Sequence, residues 1–255
     1  MTATIKDIKQ KYLYARWSNE SNFFWTYRVR RPVSYYMAWC FLRLGFSANN
    51  VTLSFLLVGI IGCLFLASGN YLYLVIGALL IELSITLDCV DGHLARLKGT
   101  SYVGTILDFW CGKIVFVSSM FSLGIGLSKI LSPVDIHVSI IPLIKVGVFL
   151  YVGFFAALAA LSIWAVRLYW LYIAPRTSSE DMLPDSNLRA SKKGMVVDNL
   201  FGYSGAYAPL MVVSAILGVL EVFLLLVLMV YGLFLLVLMA IVLKRAHVLD
   251  MIKTS

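Results

Sequence analysis

Downstream of Val51 the chain is a succession of apolar runs with polar residues confined to short breaks. A bilayer-spanning helix needs about 20 mainly apolar residues. On that basis six spans are predicted, at about 50–68, 72–89, 102–128, 138–173, 204–219 and 222–243. The fourth is long enough to tilt or to project past the bilayer. Gly69-Asn70 predicts a tight turn between the first two spans, and Ser132-Pro133 with Asp135 marks the third connection. Glu221 marks the turn between the last two spans, and residues 175–203 form the one long polar loop. The expected fold is all-α and polytopic.

The first 49 residues follow a different pattern. Lys6, Lys9, Lys11, Arg16, Arg28, Arg30, Arg31 and Arg43 alternate with Tyr, Trp and Phe. This predicts an amphipathic segment on the membrane surface, with aromatic rings among headgroups and cations near lipid phosphates. Pro32 suits the first turn of a helix over about 33–44, and Gly45 its stop. The expected division is a basic juxtamembrane segment, 1–49, and a transmembrane domain, 50–255. The opening residues lack the apolar core of a signal peptide.

Composition agrees: 61% of residues are hydrophobic and 13% charged, against about a quarter charged in a soluble domain. The net charge of +8 belongs to cytoplasmic loops near anionic membrane lipids; with no base-reading motif, nucleic acid is discounted as a partner. Lys and Arg number eight in 1–49, two in 89–100, four in 174–203 and three after 243. Six spans put these seventeen on one side, against Lys129 alone on the other. Both termini and the acidic motif are therefore expected in the cytoplasm. Compactness favours a prokaryotic plasma membrane. Cys40, Cys63, Cys89 and Cys111 show no paired spacing and are expected to be free thiols.

Asp88 and Asp91 lie three residues apart, on one face of a helix closing the second span. Carboxylates at a helix C-terminus are opposed by the macrodipole. Asp108 follows near the start of the third span, where an acid is costly and normally functional. A divalent cation between the three relieves the repulsion; a merely solvated acidic helix end is the alternative. Gly92 either caps the helix or lets a ligand approach the backbone. Soluble hydrolase and kinase motifs are absent.

The run Asp88-x-x-Asp91-Gly92-x-x-Ala95-Arg96, then Gly104-x-x-x-Asp108, resembles the signature of the CDP-alcohol phosphotransferases. Two departures stand out. Seven residues separate Arg96 from Gly104 where that family usually has eight, and Gly112 replaces a last Asp that the resemblance would make the general base. The resemblance implies Mg2+ or Mn2+, as two ions, on Asp88, Asp91 and Asp108. It implies a nucleotide site shaped by Gly92, Ala95, Arg96 and Gly104. Asn50 and Thr52 fall where the family carries a Pro-Asn-x-x-Thr element, although the spacing fits Asn49 better. His93 is a candidate substitute base, because its pKa lies near neutrality. Arg167, in the fourth span, is a candidate for an anionic lipid or an acceptor phosphate.

The implied activity is membrane transferase chemistry in phospholipid or related lipid biosynthesis. A phospho-alcohol or phosphatidyl group moves from a CDP-activated alcohol or CDP-diacylglycerol to a lipid or phosphorylated acceptor, with release of CMP. A homodimer is among the assemblies it allows. The competing reading is a catalytically impaired relative, natural or engineered, serving as a nucleotide- or lipid-binding partner subunit. A transporter fits less well, because the acids cluster at one edge and do not line a path.

Overall fold

The computed structural model describes residues 4–20, 23–99, 101–130, 147–172 and 192–254, all helix, turn or loop, with no strand among them. Ser132, Pro133, Asp135, Lys145 and residues 175–191 of the polar loop lie outside the described residues. Helix α1 is Ile5–Glu20. A π-helical turn, Thr26–Arg30, runs into α2, Arg31–Arg43. Then come α3, Ala48–Leu66, α4, Tyr71–Lys98, α5, Tyr102–Ile130, and α6, Val148–Tyr172. The chain closes with α7, Lys192–Phe201, α8, Tyr207–Ile216, and α9, Leu220–Thr254.

Five of these helices, α3, α4, α5, α6 and α9, are long and apolar enough to cross a membrane. The sixth apolar segment, read from the sequence over 204–219, is the ten-residue α8. At 1.5 Å per residue it rises about 15 Å, half the hydrocarbon thickness. Residues 202–206 turn before it, with Ala206 N–H donating to the Asn199 carbonyl at 2.6 Å.

Side chains at the helix starts satisfy orphan N–H groups. The Ser47 hydroxyl accepts from Asn50 N–H at 3.2 Å to open α3. The Asn70 side chain accepts from Leu72 and Tyr73 N–H at 3.0 and 3.4 Å to open α4. Both are N-caps in extended backbone. Gly45 ends α2 as expected, in a left-handed conformation with φ 79°.

Helix α4 runs nine residues past the predicted end of the second span, through the whole motif to Lys98. The acidic motif is therefore helical, and Gly92 is not a cap. Gly99, with φ 99°, is the stop. Packing explains the extension. Val90 and Leu94 of α4 are fully buried against Ile8 and Tyr12 of α1 and Tyr35 and Ala38 of α2. Each pair is spaced three or four residues apart, so each helix offers one stripe. Burying such side chains contributes about 1.5–3 kcal/mol each, enough to hold the end of α4 in register.

Within the bundle, α4 packs most extensively on α3, and α5 on α6 and α3; α4 and α5 touch each other far less. Gly62 and Gly77 bring α3 and α4 into backbone contact, since a Cβ on Gly77 would lie 2.8 Å from the Gly62 carbonyl oxygen. Close approach through small residues drives helix association in lipid, where apolar burial alone does not. Leu53, Leu57, Leu64, Leu233 and Leu236 stay exposed on the outer faces.

One expectation for the N-terminal segment is corrected. Lys6, Lys9, Arg28 and Arg43 are exposed as expected. Arg30 and Arg31, read as headgroup ligands, point inward and are 1% and 8% exposed. Arg30 donates to Glu82 of α4, and Arg31 to the Cys89 carbonyl at 3.3 Å. Glu82 also accepts from the Trp25 indole at 3.0 Å. A buried guanidinium needs such a partner, and the sequence pattern did not pair the two. The four cysteines are free.

Candidate functional site

The C-terminal end of α4 meets the start of α5 at three carboxylates. Asp88 and Asp91 lie one turn apart on α4, and Asp108 faces them from α5. One ligand oxygen from each lies within 4.8 Å of the others. Asp91 is buried, Asp88 half-buried and Asp108 exposed, so the cluster opens on the Asp108 side. An all-oxygen set of this size is the donor set that Mg2+ or Mn2+ takes, and the residues present fit such an ion.

Thr52 orients the deepest acid. Its hydroxyl is buried and donates to Asp91 Oδ2 at 2.7 Å. Asn50, by contrast, is exposed. The asparagine that reaches the site is Asn49. A Cβ on Gly104 would meet Asn49 Oδ1 at 2.6 Å, so Gly104 is what lets α5 approach the start of α3. The spacing of Asn49 and Thr52 was the available signal.

Gly92 is on the same helix, one residue after Asp91. A Cβ there would lie 3.3 Å from the Arg96 guanidinium, which folds back over the glycine. Ala95 is half-buried one turn beyond Asp91, and its carbonyl accepts the Gly99 N–H at 2.9 Å. Gly92, Ala95 and Arg96 thus form a small-residue shelf edged by one cation beside the acids.

His93 sits on the opposite side of α4, 1% exposed. Its ring packs on Tyr12 and Tyr35 with centroids at 5.5 and 4.9 Å. Arg96 is 3.2 Å from Nδ1, and Ser34 Oγ is 3.0 Å from Nε2. Arg can only donate, so Nδ1 accepts, and the ring proton is on Nε2, donated to Ser34. The Ser34 hydroxyl in turn donates a hydrogen bond to the Arg31 carbonyl at 2.9 Å. The chain of bonds fixes the tautomer and links α4 to α2.

Gly112 is buried one turn beyond Asp108. The space a side chain would take there is met by Tyr203, a residue that no motif singles out. A Cβ on Gly112 would lie 3.3 Å from Tyr203 Oη. That hydroxyl is buried and has no hydrogen-bond partner among the described residues. Burial and the nearby Asp88 carboxylate hold its pKa well above the ordinary tyrosine value. The turn carrying Tyr203 is tied to the N-terminal segment. Arg30 donates to the Tyr203 carbonyl at 3.4 Å, and the Thr26 hydroxyl to the Ser204 carbonyl.

Tyr203 also lines a cavity of about 260 Å³. Lys113 of α5 and Trp164 and Arg167 of α6 line it too, with apolar walls from Phe116, Val230 and Phe234. Lys113 Nζ stands 5.5 Å from the Tyr203 ring centroid, and Arg167 Cζ 5.5 Å from that of Phe234. Asp198 contributes the single carboxylate among the lining residues. The fold therefore brings Arg167 to the cavity behind Tyr203, and not into the acid cluster.

Compared with known protein families, residues 46–174 match the family model described as CDP-alcohol phosphatidyltransferase. That stretch runs from the start of α3 to the end of α6 and contains the acid cluster. A comparison with curated proteins gave no match.

Proposed function

Since the chain belongs to the CDP-alcohol phosphatidyltransferase family, we propose that it moves a phosphatidyl or phospho-alcohol group from a CDP-activated donor to an acceptor and releases CMP. The observation that carries this reading is the convergence of Asp88, Asp91 and Asp108 from two helices to within 4.8 Å. The three would hold divalent metal, Mg2+ or Mn2+, as two ions. Bound there, the metal supplies charge neutralisation at the donor pyrophosphate and at leaving CMP.

The remaining roles fall to the chain itself. Gly92 and Ala95 leave room for the cytidine nucleotide, and Arg96 and Asn49 edge it with a cation and an amide. Thr52 fixes the Asp91 carboxylate. Arg167 and Lys113 draw the anionic part of the acceptor into the cavity. His93 takes no part in proton transfer, because both ring nitrogens are committed to Arg96 and Ser34. The acids and the nucleotide shelf face the cytoplasm, where the basic loops are retained.

The test is CMP release from CDP-diacylglycerol by the solubilised full chain with Mg2+ or Mn2+. Metal-dependent release supports the reading. Metal-dependent nucleotide binding without release with any acceptor would instead favour a non-catalytic partner subunit, the reading suggested by glycine at position 112.

A further inference from the structure

The hydroxyl of Tyr203 and the glycine it covers carry one step beyond that reading. We infer that Tyr203 contacts the acceptor, its hydroxyl donating a hydrogen bond to the attacking oxygen, and that this oxygen belongs to a phosphate monoester and not to an alcohol. The inference rests on the transferase reading and deepens it.

Four observations converge. The Tyr203 hydroxyl is buried, unpartnered among the described residues and seated against Gly112, one turn from Asp108. Buried polar groups are nearly always satisfied, so an orphan beside Gly112, one turn from a member of the acid cluster, points to a ligand atom. The Trp164 indole N–H, lining the same cavity, is a second buried donor without a partner among the described residues. Two cations, Lys113 and Arg167, line the cavity against the single carboxylate of Asp198. The groups offered to an acceptor are therefore mainly donors and positive charges, which is what a phosphate requires. Finally, the Tyr203 turn is held by Arg30 and Thr26 on its backbone, so the hydroxyl is fixed in place.

The chemistry follows from which group holds a proton. A phenol is protonated at neutral pH, and burial favours that form further. It can give a hydrogen bond to the acceptor but is poorly suited to removing a proton from it. An alcohol must lose a proton as it attacks, whereas a phosphate monoester has its second pKa at about 6 and is already anionic. In the step, an acceptor phosphate oxygen forms a bond to the donor phosphorus distal to cytidine. The bond from that phosphorus to the bridging oxygen breaks, and the electron pair leaves with CMP. One P–O–P linkage is exchanged for another, and no proton changes hands.

The experiment compares decyl phosphate with decanol as acceptors for the full chain, with CDP-diacylglycerol and Mg2+. Phosphorus NMR identifies the product. We expect CMP release with decyl phosphate to exceed that with decanol by about 100-fold or more, the scale of missing general-base assistance. The product should show paired diphosphate resonances. Tyr203→Phe keeps the ring and should lower kcat with decyl phosphate by about tenfold while leaving the KM for CDP-diacylglycerol nearly unchanged. Gly112→Asp should shift the preference towards decanol. Comparable rates with the two acceptors, a phosphodiester or phosphotriester product alone, or a Tyr203→Phe protein with unaltered kcat would overturn the inference. Release with neither acceptor, while calorimetry still shows Mg2+-dependent CDP-diacylglycerol binding, would overturn it and leave the donor site standing. Loss of that binding as well would overturn both.

Discussion

Arg30 and Glu82, 52 residues apart in sequence, meet through two hydrogen bonds, Nε to Oε1 at 2.9 Å and Nη2 to Oε2 at 2.7 Å. The fork-to-fork geometry ties the turn before α2 to the middle of α4. Through the Arg30 bond to the Tyr203 carbonyl it also ties both to the turn before α8. Removing one partner leaves a buried charge alone. Glu82→Gln or Arg30→Met should each destabilise by about 3 kcal/mol, discounted little because Arg30 is 1% exposed. The double variant Arg30→Met/Glu82→Leu should recover part of the loss. Thermal unfolding in detergent measures all three. Equal stability of the single variants and wild type would show the pair to be incidental.

Neutralising one member of the acid cluster should weaken cation binding sharply. Asp91→Asn removes the buried carboxylate and turns the Thr52 bond towards an amide. A thermal-shift titration with Mn2+ should show a clear rise for wild type and little or none for the variant. The same response from both would sink the metal assignment.

Thr52 acts on the site only through Asp91. Thr52→Val keeps shape and burial and removes the 2.7 Å bond. Losing an outer partner of a ligand typically costs about 10- to 100-fold in metal affinity. Calorimetry with Mn2+ should register a drop in that range while the melting temperature without metal falls modestly. An unchanged affinity would mean that Asp91 is held by other contacts.

His93→Asn should lower stability, because the ring fills a pocket between Tyr12 and Tyr35 and joins α4 to Ser34. The pH profile of CMP release should keep its shape. A profile that loses its limb near neutrality would restore His93 as a proton carrier.

Helix α4 spans 28 residues between Asn70 and Gly99, about 42 Å. In a protein without native cysteines, a single cysteine at Lys98 should react only with reagent on the cytoplasmic side. One at Asn70 should react only from the opposite side. Reaction of both from one side would exclude a membrane-crossing α4.

The fold class was legible because membrane helices are written in long apolar runs, and the Gly69-Asn70 turn falls where α3 gives way to α4. The acid cluster was legible because its spacing is local: Asp88 and Asp91 share a face whatever surrounds them. What the pattern could not convey was pairing between distant segments. Arg30 looks like its basic neighbours until Glu82 is set beside it. His93 follows Gly92, a candidate helix cap, yet the burial of Val90 and Leu94 carries the helix on to Lys98. Tyr203 lies 91 positions from Gly112, and no periodicity connects them. At Glu221 the expected boundary moves only slightly: the turn between the last two apolar segments falls at 217–219, and Glu221 lies at the start of α9, 6% exposed.

The three carboxylates sit where α4 and α5 meet, two helices that touch each other far less than either touches α3. Like charges repel one another there, while α4 is held by α3, and α5 by α3 and α6. The acids are therefore placed as a charge-operated latch: a bound cation would turn repulsion between the two helices into a tie, and the firmness of that seam would follow the occupancy of the site.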